Sequence, residues 1–433
     1  MAYKKFLILP LSLLLTLFII SKTDAQTPRY EIIPSPDLWY NDVDGIIVGL
    51  QLQGQVPGTF EDGPHRLNAG IWLGLWLPKL PVSYQITYTD PIQRWSDYGS
   101  EANIQVRSSI RTGYHNHGIG INKRWQRGFD ERRYVEIGNY NSFEKRFDDE
   151  YAAFPMLWSD RDKFLSSFSF EIQNDNRLGW YQISADTKFQ FNEDFYSVFN
   201  LVARQRITFN DYWGLRLRGF LGAASSHTDP EYRFSRSMRP AADWMQNRFT
   251  RAKGTIPQPW IEGGNIHIAG GPNLRGYTSR DIDSFVADRE NLNGDPQIDT
   301  VAPILFRSFA SLNAELDYWN PIAKAFNEIP YASEFLNFRS YLFFDTGRSL
   351  NSESTIPVIA NGGQDSEVIT DNTSTLYSNA GAGFSLSLNI PDYHGKPRGF
   401  VFRYEIPFWL SEPGDEDSFR FRHLFGFGAT ISF

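Results

Sequence analysis

Leu424-Phe425-Gly426-Phe427-Gly428-Ala429-Thr430-Ile431-Ser432-Phe433 closes the chain, and its reading decides the fold. Phe433, Ile431, Ala429, Phe427 and Phe425 share one parity, and Ser432, Thr430, Gly428, Gly426 and Leu424 the other. Side chains two apart on a strand point to the same face, so one face is apolar and aromatic and the other small or polar apart from Leu424. A soluble sandwich could bury such a strand. A terminal aromatic, in a chain that starts with an export signal, points instead to the wall of an outer-membrane barrel, with Gly428, Ile431 and Phe433 as the closing-strand signal.

Lys4 and Lys5 precede a nearly continuous apolar run from Phe6 to Ile20, and Thr23-Asp24-Ala25 offers a small-residue cleavage site. Residues 1–25 therefore read as a signal peptide, because a run of about 15 falls short of the ~20 that a spanning helix needs. No later stretch is long and apolar enough to span as a helix, so membrane insertion must use strands. The chain has no cysteine, which excludes a lipoprotein attachment site, disulfides and thiol chemistry. The whole chain carries −8; the signal contributes +2 (Lys4, Lys5 and Lys22 against Asp24), leaving about −10, which argues against nucleic acid as a partner. Aromatic content is 16% while mean hydropathy is only −0.40. A barrel reconciles the two, since half of each strand faces a wet lumen and aromatics collect at the interfaces.

Alternation recurs along the chain. Val82, Tyr84, Ile86 and Tyr88 interleave with Ser83, Gln85 and Thr87; Leu215 and Leu217 with Arg216 and Arg218; Phe400, Phe402, Tyr404 and Ile406 with Val401, Arg403 and Glu405. Charges on the second face would cost roughly 2–4 kcal/mol at the midplane for Arg or Lys if turned to lipid, so that face lines the lumen. Sixteen such segments, starting near Gly45, Asn68, Pro81, Ala102, His115, Tyr134, Lys163, Arg177, Phe195, Tyr212, Asn265, Phe306, Leu336, Leu376, Arg398 and Phe421, predict an all-β, sixteen-stranded antiparallel transmembrane β-barrel over 45–433. Residues 26–44 are then a short periplasmic segment, and Phe433 lies on the lipid face, paired across the closure to the strand near Gly45. The even count puts both termini in the periplasm and the polar connections Asn351–Thr375 and Ser411–Ser418 outside. Ser225–Gly264 breaks the rule of short periplasmic turns: Pro240 followed by Trp244, Met245 and Phe249 predicts one amphipathic helix. Either it is a periplasmic plug or platform, or the strand count shifts there.

The most specific motif is Gly270-Gly271-Pro272-Asn273-Leu274-Arg275-Gly276-Tyr277, followed about 70 residues later by Phe343-Phe344-Asp345-Thr346-Gly347. Alternation puts Phe343 and Asp345 on the lumen wall, where an arginine at a loop tip can pair bidentately with the aspartate. Together these residues resemble the BamA/TamA and two-partner-secretion transporter superfamily, the bacterial surface antigen barrels. The resemblance implies that the loop over 265–305 folds into the lumen, with Arg275, Gly276 and Tyr277 as its tip and Phe343, Asp345 and Gly347 as the wall motif. Asn313-Ala314-Glu315 is similar to the family's preceding-strand motif, so Glu315 also faces the tip. The expected set is Arg275 between Asp345 and Glu315, with Tyr277 against the wall near Phe343. With under twenty residues between Gln26 and Gly45, the chain resembles a barrel-only branch that lacks the periplasmic polypeptide-transport (POTRA) domains. Assembly or translocation of outer-membrane proteins with separate periplasmic partners is the implied function; a passive pore or a docking barrel for another envelope complex is the alternative. Expected partners are outer-membrane lipid and periplasmic or surface proteins.

Enzyme chemistry is not expected. His115-Asn116-His117 lacks a surrounding ligand pattern, and no histidine spacing fits zinc. Ser225, His227 and Asp229 are close in sequence, but triads form in space. Asp288, Asn291, Asn293, Gly294, Asp295 and Asp299 form an oxygen-rich loop whose glycine is out of register for an EF-hand. No catalytic residue, cofactor or metal is expected.

Overall fold

Seventeen strands form one sheet in the computed structural model, which describes residues 30–429 except 57–64, 127–129, 131, 193, 211, 279–283, 287–300, 330–334, 352, 361–362, 371–374, 392–396 and 415. In chain order the strands are β1 (Glu31–Asn41), β2 (Gly45–Gln55), β3 (Arg66–Gly74), β4 (Val82–Pro91), β5 (Ser100–Arg111), β6 (Tyr114–Gln126), β7 (Tyr134–Arg146), β8 (Lys163–Asn176), β9 (Gly179–Gln190), β10 (Tyr196–Thr208) and β11 (Gly214–Ala224). They continue as β12 (Ile266–His267), β13 (Ser308–Asp317), β14 (Leu336–Ser349), β15 (Tyr377–Pro391), β16 (Pro397–Leu410) and β17 (Leu424–Ala429). Each pairs antiparallel with the next except around β12: β11 pairs with β13, and β12 lies parallel to β17. Tight turns set the meander. At Thr112-Gly113 both residues have positive φ (47° and 70°), the two-residue geometry whose twist suits a hairpin.

The outward face is apolar. Ile46 and Val48 of β2, Ile71 and Leu73 of β3, Ile104 and Val106 of β5, Ile119 and Ile121 of β6, and Leu342 and Phe344 of β14 are all exposed. So extended an exposed apolar surface has no counterpart on ordinary soluble monomers. At one end of the sheet it is bordered by exposed Trp95, Trp125, Tyr212, Trp213 and Trp319, all at connections or strand ends on that side. Such a girdle suits side chains with an apolar body and a polar tip at a lipid–water boundary. Among the described residues no helix is long and apolar enough to cross a membrane.

The inward face curls around one long connection, residues 225–307 between β11 and β13. Arg248 reaches Asp37 on β1, Tyr232 reaches Glu144 on β7, and Glu231 pairs with Lys163 of β8 at 2.6 Å. Further along, Arg218 of β11 donates to the Gly271 carbonyl, and Tyr277 donates to the Ser378 carbonyl of β15. One segment meets walls so far apart only if the sheet wraps it. Two apolar clusters fill the space between. One gathers Trp158, Met238, Trp244, Ile256 and Ile266; the other Tyr196, Phe220, Phe234, Leu274, Tyr277 and Phe309.

Several expectations change. The segment 26–44, read as lying ahead of the wall, contains β1, which pairs along its whole length with β2. Pro34 and Pro36 hid it, yet a strand at the edge of a sheet tolerates residues without an N–H. The segment near Asn265 is the two-residue β12, not a wall strand. Adding β1 and removing that segment restores the parity. The connections 225–307, 350–376 and 411–423 then leave from the same end, so Ser225–Gly264 and the Arg275 tip belong to one connection rather than to opposite sides. The helix expected there is a 3₁₀ turn, Ala241–Gln246, with Ala241 and Trp244 buried. Within the polar connection at 351–375, Glu353–Ala360 and Gly363–Thr370 form a hairpin. The expected pairing of Phe433 across the closure lies outside the described residues; among those described, β1 and β17 share no backbone pairing, and β12 pairs with the start of β17.

Candidate functional site

The tip enters the sheet through strained backbone. Gly270 and Gly271 have φ of 143° and 56°, and Asn273 has φ 64°, a region that L-residues other than Asn, Asp and Gly rarely adopt. The Asn273 side chain accepts the Gly270 N–H at 3.1 Å, which locks the turn on itself. Wall residues then grip its carbonyls: Ser311 donates to Pro272 O at 2.6 Å and Asn313 to Asn273 O at 2.9 Å.

Arg275 is 1% exposed. Its Nε and Nη2 donate to Oδ2 and Oδ1 of Asp345 at 2.9 and 2.6 Å, a bidentate fork. Its Nη1 donates to Glu315 at 2.7 Å and to Glu405 at 2.8 Å, and its backbone N–H donates to Asp345 at 3.1 Å. The guanidinium lies 3.9 Å from the centroid of Phe343. Around this core, Arg339 bridges Glu315 and Asp317, Arg403 stands 3.6 Å from Glu315, and Arg216 stands 3.3 Å from Asp317. Four guanidiniums thus face four carboxylates. Balanced and hydrogen-bonded, such a network tolerates burial that an unpaired charge would not.

Small residues make the room. A methyl on Gly381 would strike the Phe343 ring, and one on Gly383 the Tyr341 ring, so the two aromatics lie across β15. Tyr341 thereby donates to Glu405 on β16 at 2.7 Å. A methyl on Gly276 would meet Leu410 and Asn379, and one on Gly347 would meet the Ala310 carbonyl and Ser311.

Tyr277 is fully buried, but it packs edge-on against Tyr377 (5.5 Å), not near Phe343. Arg275 itself covers Phe343. Five groups of the network, Glu405, Asp317, Arg339, Arg403 and Arg216, were not assigned to the tip from sequence. Alternation had already put Arg403 and Glu405 inside; the missing signal was the register that brings β16 beside the tip. Gly428 pairs with Val401 through its backbone, and Ile431 and Phe433 lie outside the described residues, as does the oxygen-rich stretch 287–300. His115 and His117 face each other across 3.4 Å, with His117 also bonded to Ser108. Asp229 pairs with Arg161 at 2.8 Å, while the Ser225 hydroxyl bonds Thr228.

The second feature is the seam between β1 and β17. Residues 248–267 fill it. On the β1 side, Arg248 meets Asp37 at 2.6 Å, Thr255 donates to the Tyr40 carbonyl at 3.2 Å, and the Asp42 N–H donates to Lys253 O at 3.0 Å. On the β17 side, the Phe425 N–H donates to Asn265 O at 2.7 Å, and Trp260 stacks on Phe425. Phe249 spans both sides, 5.1 Å from Trp39 and 6.1 Å from Phe427.

The residues define a class: an all-β protein with an apolar exterior, whose sheet wraps a connection anchored by a buried arginine. No family model matches the sequence, and no curated protein matches it. Among solved structures, it is similar to BamA from Haemophilus ducreyi lacking POTRA domains 1-3, at 13% identity and a TM-score of 0.48, over 92% of this chain and 69% of that one. It is also similar to CdiB from Acinetobacter baumannii, at 12% identity and a TM-score of 0.37, over 93% of this chain and 60% of that one.

Proposed function

We propose that the chain is an outer-membrane β-barrel that assembles or translocates envelope proteins with separate periplasmic partners. The seam carries this reading: among the described residues, β1 and β17 share no backbone pairing and are bridged by an inserted segment of the same chain. A strand edge held by two register pairs opens at far smaller cost than one held along its length. The apolar exterior and its aromatic border support the membrane location, and the charge network fixes the connection from which the seam segment hangs.

Trapping that segment tests the reading. Ile266 and Phe425 are register partners on neighbouring strands, about 5 Å apart, within disulfide reach, and the chain has no native cysteine to compete. Ile266→Cys with Phe425→Cys, oxidised in the native host, is expected to deplete other outer-membrane proteins, with recovery on reduction. An unchanged envelope with the bond fully formed would leave the passive pore or docking barrel as the better reading.

A further inference from the structure

A second cluster of arginines, distinct from the Arg275 network, lines two neighbouring cavities of about 60 and 100 Å³ on the inner face. Arg111 and Arg251 line both; Arg107 and Lys188 line the first and Arg248 the second. Arg107 and Arg111 lie four apart on β5, so both point inward, while Arg251 comes down from the connection. Four carboxylates share the walls, and each is already engaged. Asp37 accepts from Arg248, Trp72 and Gln51. Asp44 accepts from Asn41 and Tyr151. Glu144 accepts from Tyr114, Asn116, Ser142 and Tyr232, and Asp243 lies 3.8 Å from Lys188.

Three guanidiniums are left without an anion. Arg111 donates to the neutral Gln85 at 2.7 Å and lies 3.8 Å over the Trp72 ring. The Arg107 and Arg251 side chains make no hydrogen bond and no ion pair among the described residues, and the Nε of each is shielded without a partner. This arrangement is costly unless something supplies acceptors, because a shielded donor left unpaired forfeits its hydration. It is also the reverse of Arg275, each of whose guanidinium nitrogens finds a carboxylate.

We propose that Arg107, Arg111 and Arg251 form a binding site for a phosphate or diphosphate group. Planar guanidinium forks converging from two elements match the oxygens of a tetrahedral phosphate. The cavities suit a small dianion and not a polypeptide. Since Asp37, Trp39, Arg248 and Thr255 of the second cavity also belong to the seam, the group can arrive on a lipid headgroup from the side or on a soluble molecule from the open end.

Inorganic pyrophosphate is the probe for the purified, folded full chain. Calorimetric titration is expected to show saturable binding that weakens at least about tenfold in Arg107→Gln with Arg251→Gln, as loss of charged hydrogen bonds predicts. If the double variant does not fold, phenylglyoxal labelling of the wild type replaces it: pyrophosphate is expected to protect Arg107 and Arg251. The same labelling in nanodiscs separates the sources. Protection by phosphatidic acid without pyrophosphate identifies a headgroup, and protection by pyrophosphate alone a soluble phosphate. Binding unaffected by the double substitution, or labelling that neither probe reduces, overturns the site.

Discussion

The wall around Arg275 and the seam between β1 and β17 are built by the same connection in opposite ways. At the wall, β15 and β16 pair from Asn379↔Leu410 to Pro391↔Pro397, and the connection adds buried charge and hydrogen bonds to wall side chains but no strand. At the seam, backbone pairing among the described residues is reduced to Ile266↔Phe425 and His267↔Gly426, and Ile266–His267 supplies the strand itself. Elsewhere along that seam, contact is made through side chains and single hydrogen bonds. The lesson is a division of labour: charge burial fixes the connection against fully paired wall strands, and the connection lends a short strand to β17 where, among the described residues, β1 does not pair.

The strongest way to break that contrast is Arg275→Ala. It leaves Glu315, Asp345 and Glu405 facing one another without their shared cation, and should cost about 3–5 kcal/mol. Loss of the folded, fast-migrating band at a lower temperature on unboiled gels is the readout. A cycle with Asp345→Ala should give a coupling above ~1 kcal/mol; purely additive effects would mean that the fork contributes nothing. A smaller effect is expected for Gly276→Ala, whose methyl would meet Leu410 and Asn379. Overpacking there should cost about 1–3 kcal/mol while leaving the charges paired. Unaltered melting would show that the tip is more loosely seated than its geometry indicates. The mildest is Phe249→Ala. Removing its rings' contacts with Trp39 and Phe427 should cost only about 1 kcal/mol of stability. Yet it should raise single-channel conductance in planar bilayers more than Gly276→Ala does. The opposite ranking would make the seam a rigid joint.

Much of this was legible in alternation and little of it in connectivity. A period of two located every wall strand from β2 to β17 and placed Asp345, Glu315 and Glu405 inward. It failed at β1, where Pro34 and Pro36 interrupt the pattern on a strand whose outer edge donates no ladder. It also took Ile266-His267 for the start of a wall strand, because two residues that pair parallel with β17 have the local look of an antiparallel one. Those two errors offset each other in the count of wall strands, and the shift left open at Ser225–Gly264 is the one the structure shows, with that segment at the same end as the Arg275 tip. Loop residues such as Arg248 and Arg251 carry no periodicity at all. Their positions follow from where the tip is anchored, which a one-dimensional pattern does not encode.

His267 and Arg275 are separated by eight residues, and the second is fixed by buried charge. At about 3.5 Å per residue, β12 can therefore stray no more than about 28 Å from that anchor even when released from the edge of β17. Such a leash keeps its local concentration at that edge on the order of millimolar. Under the proposed assembly role, a foreign strand at that edge would compete against a permanently present rival, and the short length of β12 would set the pairing length it has to exceed.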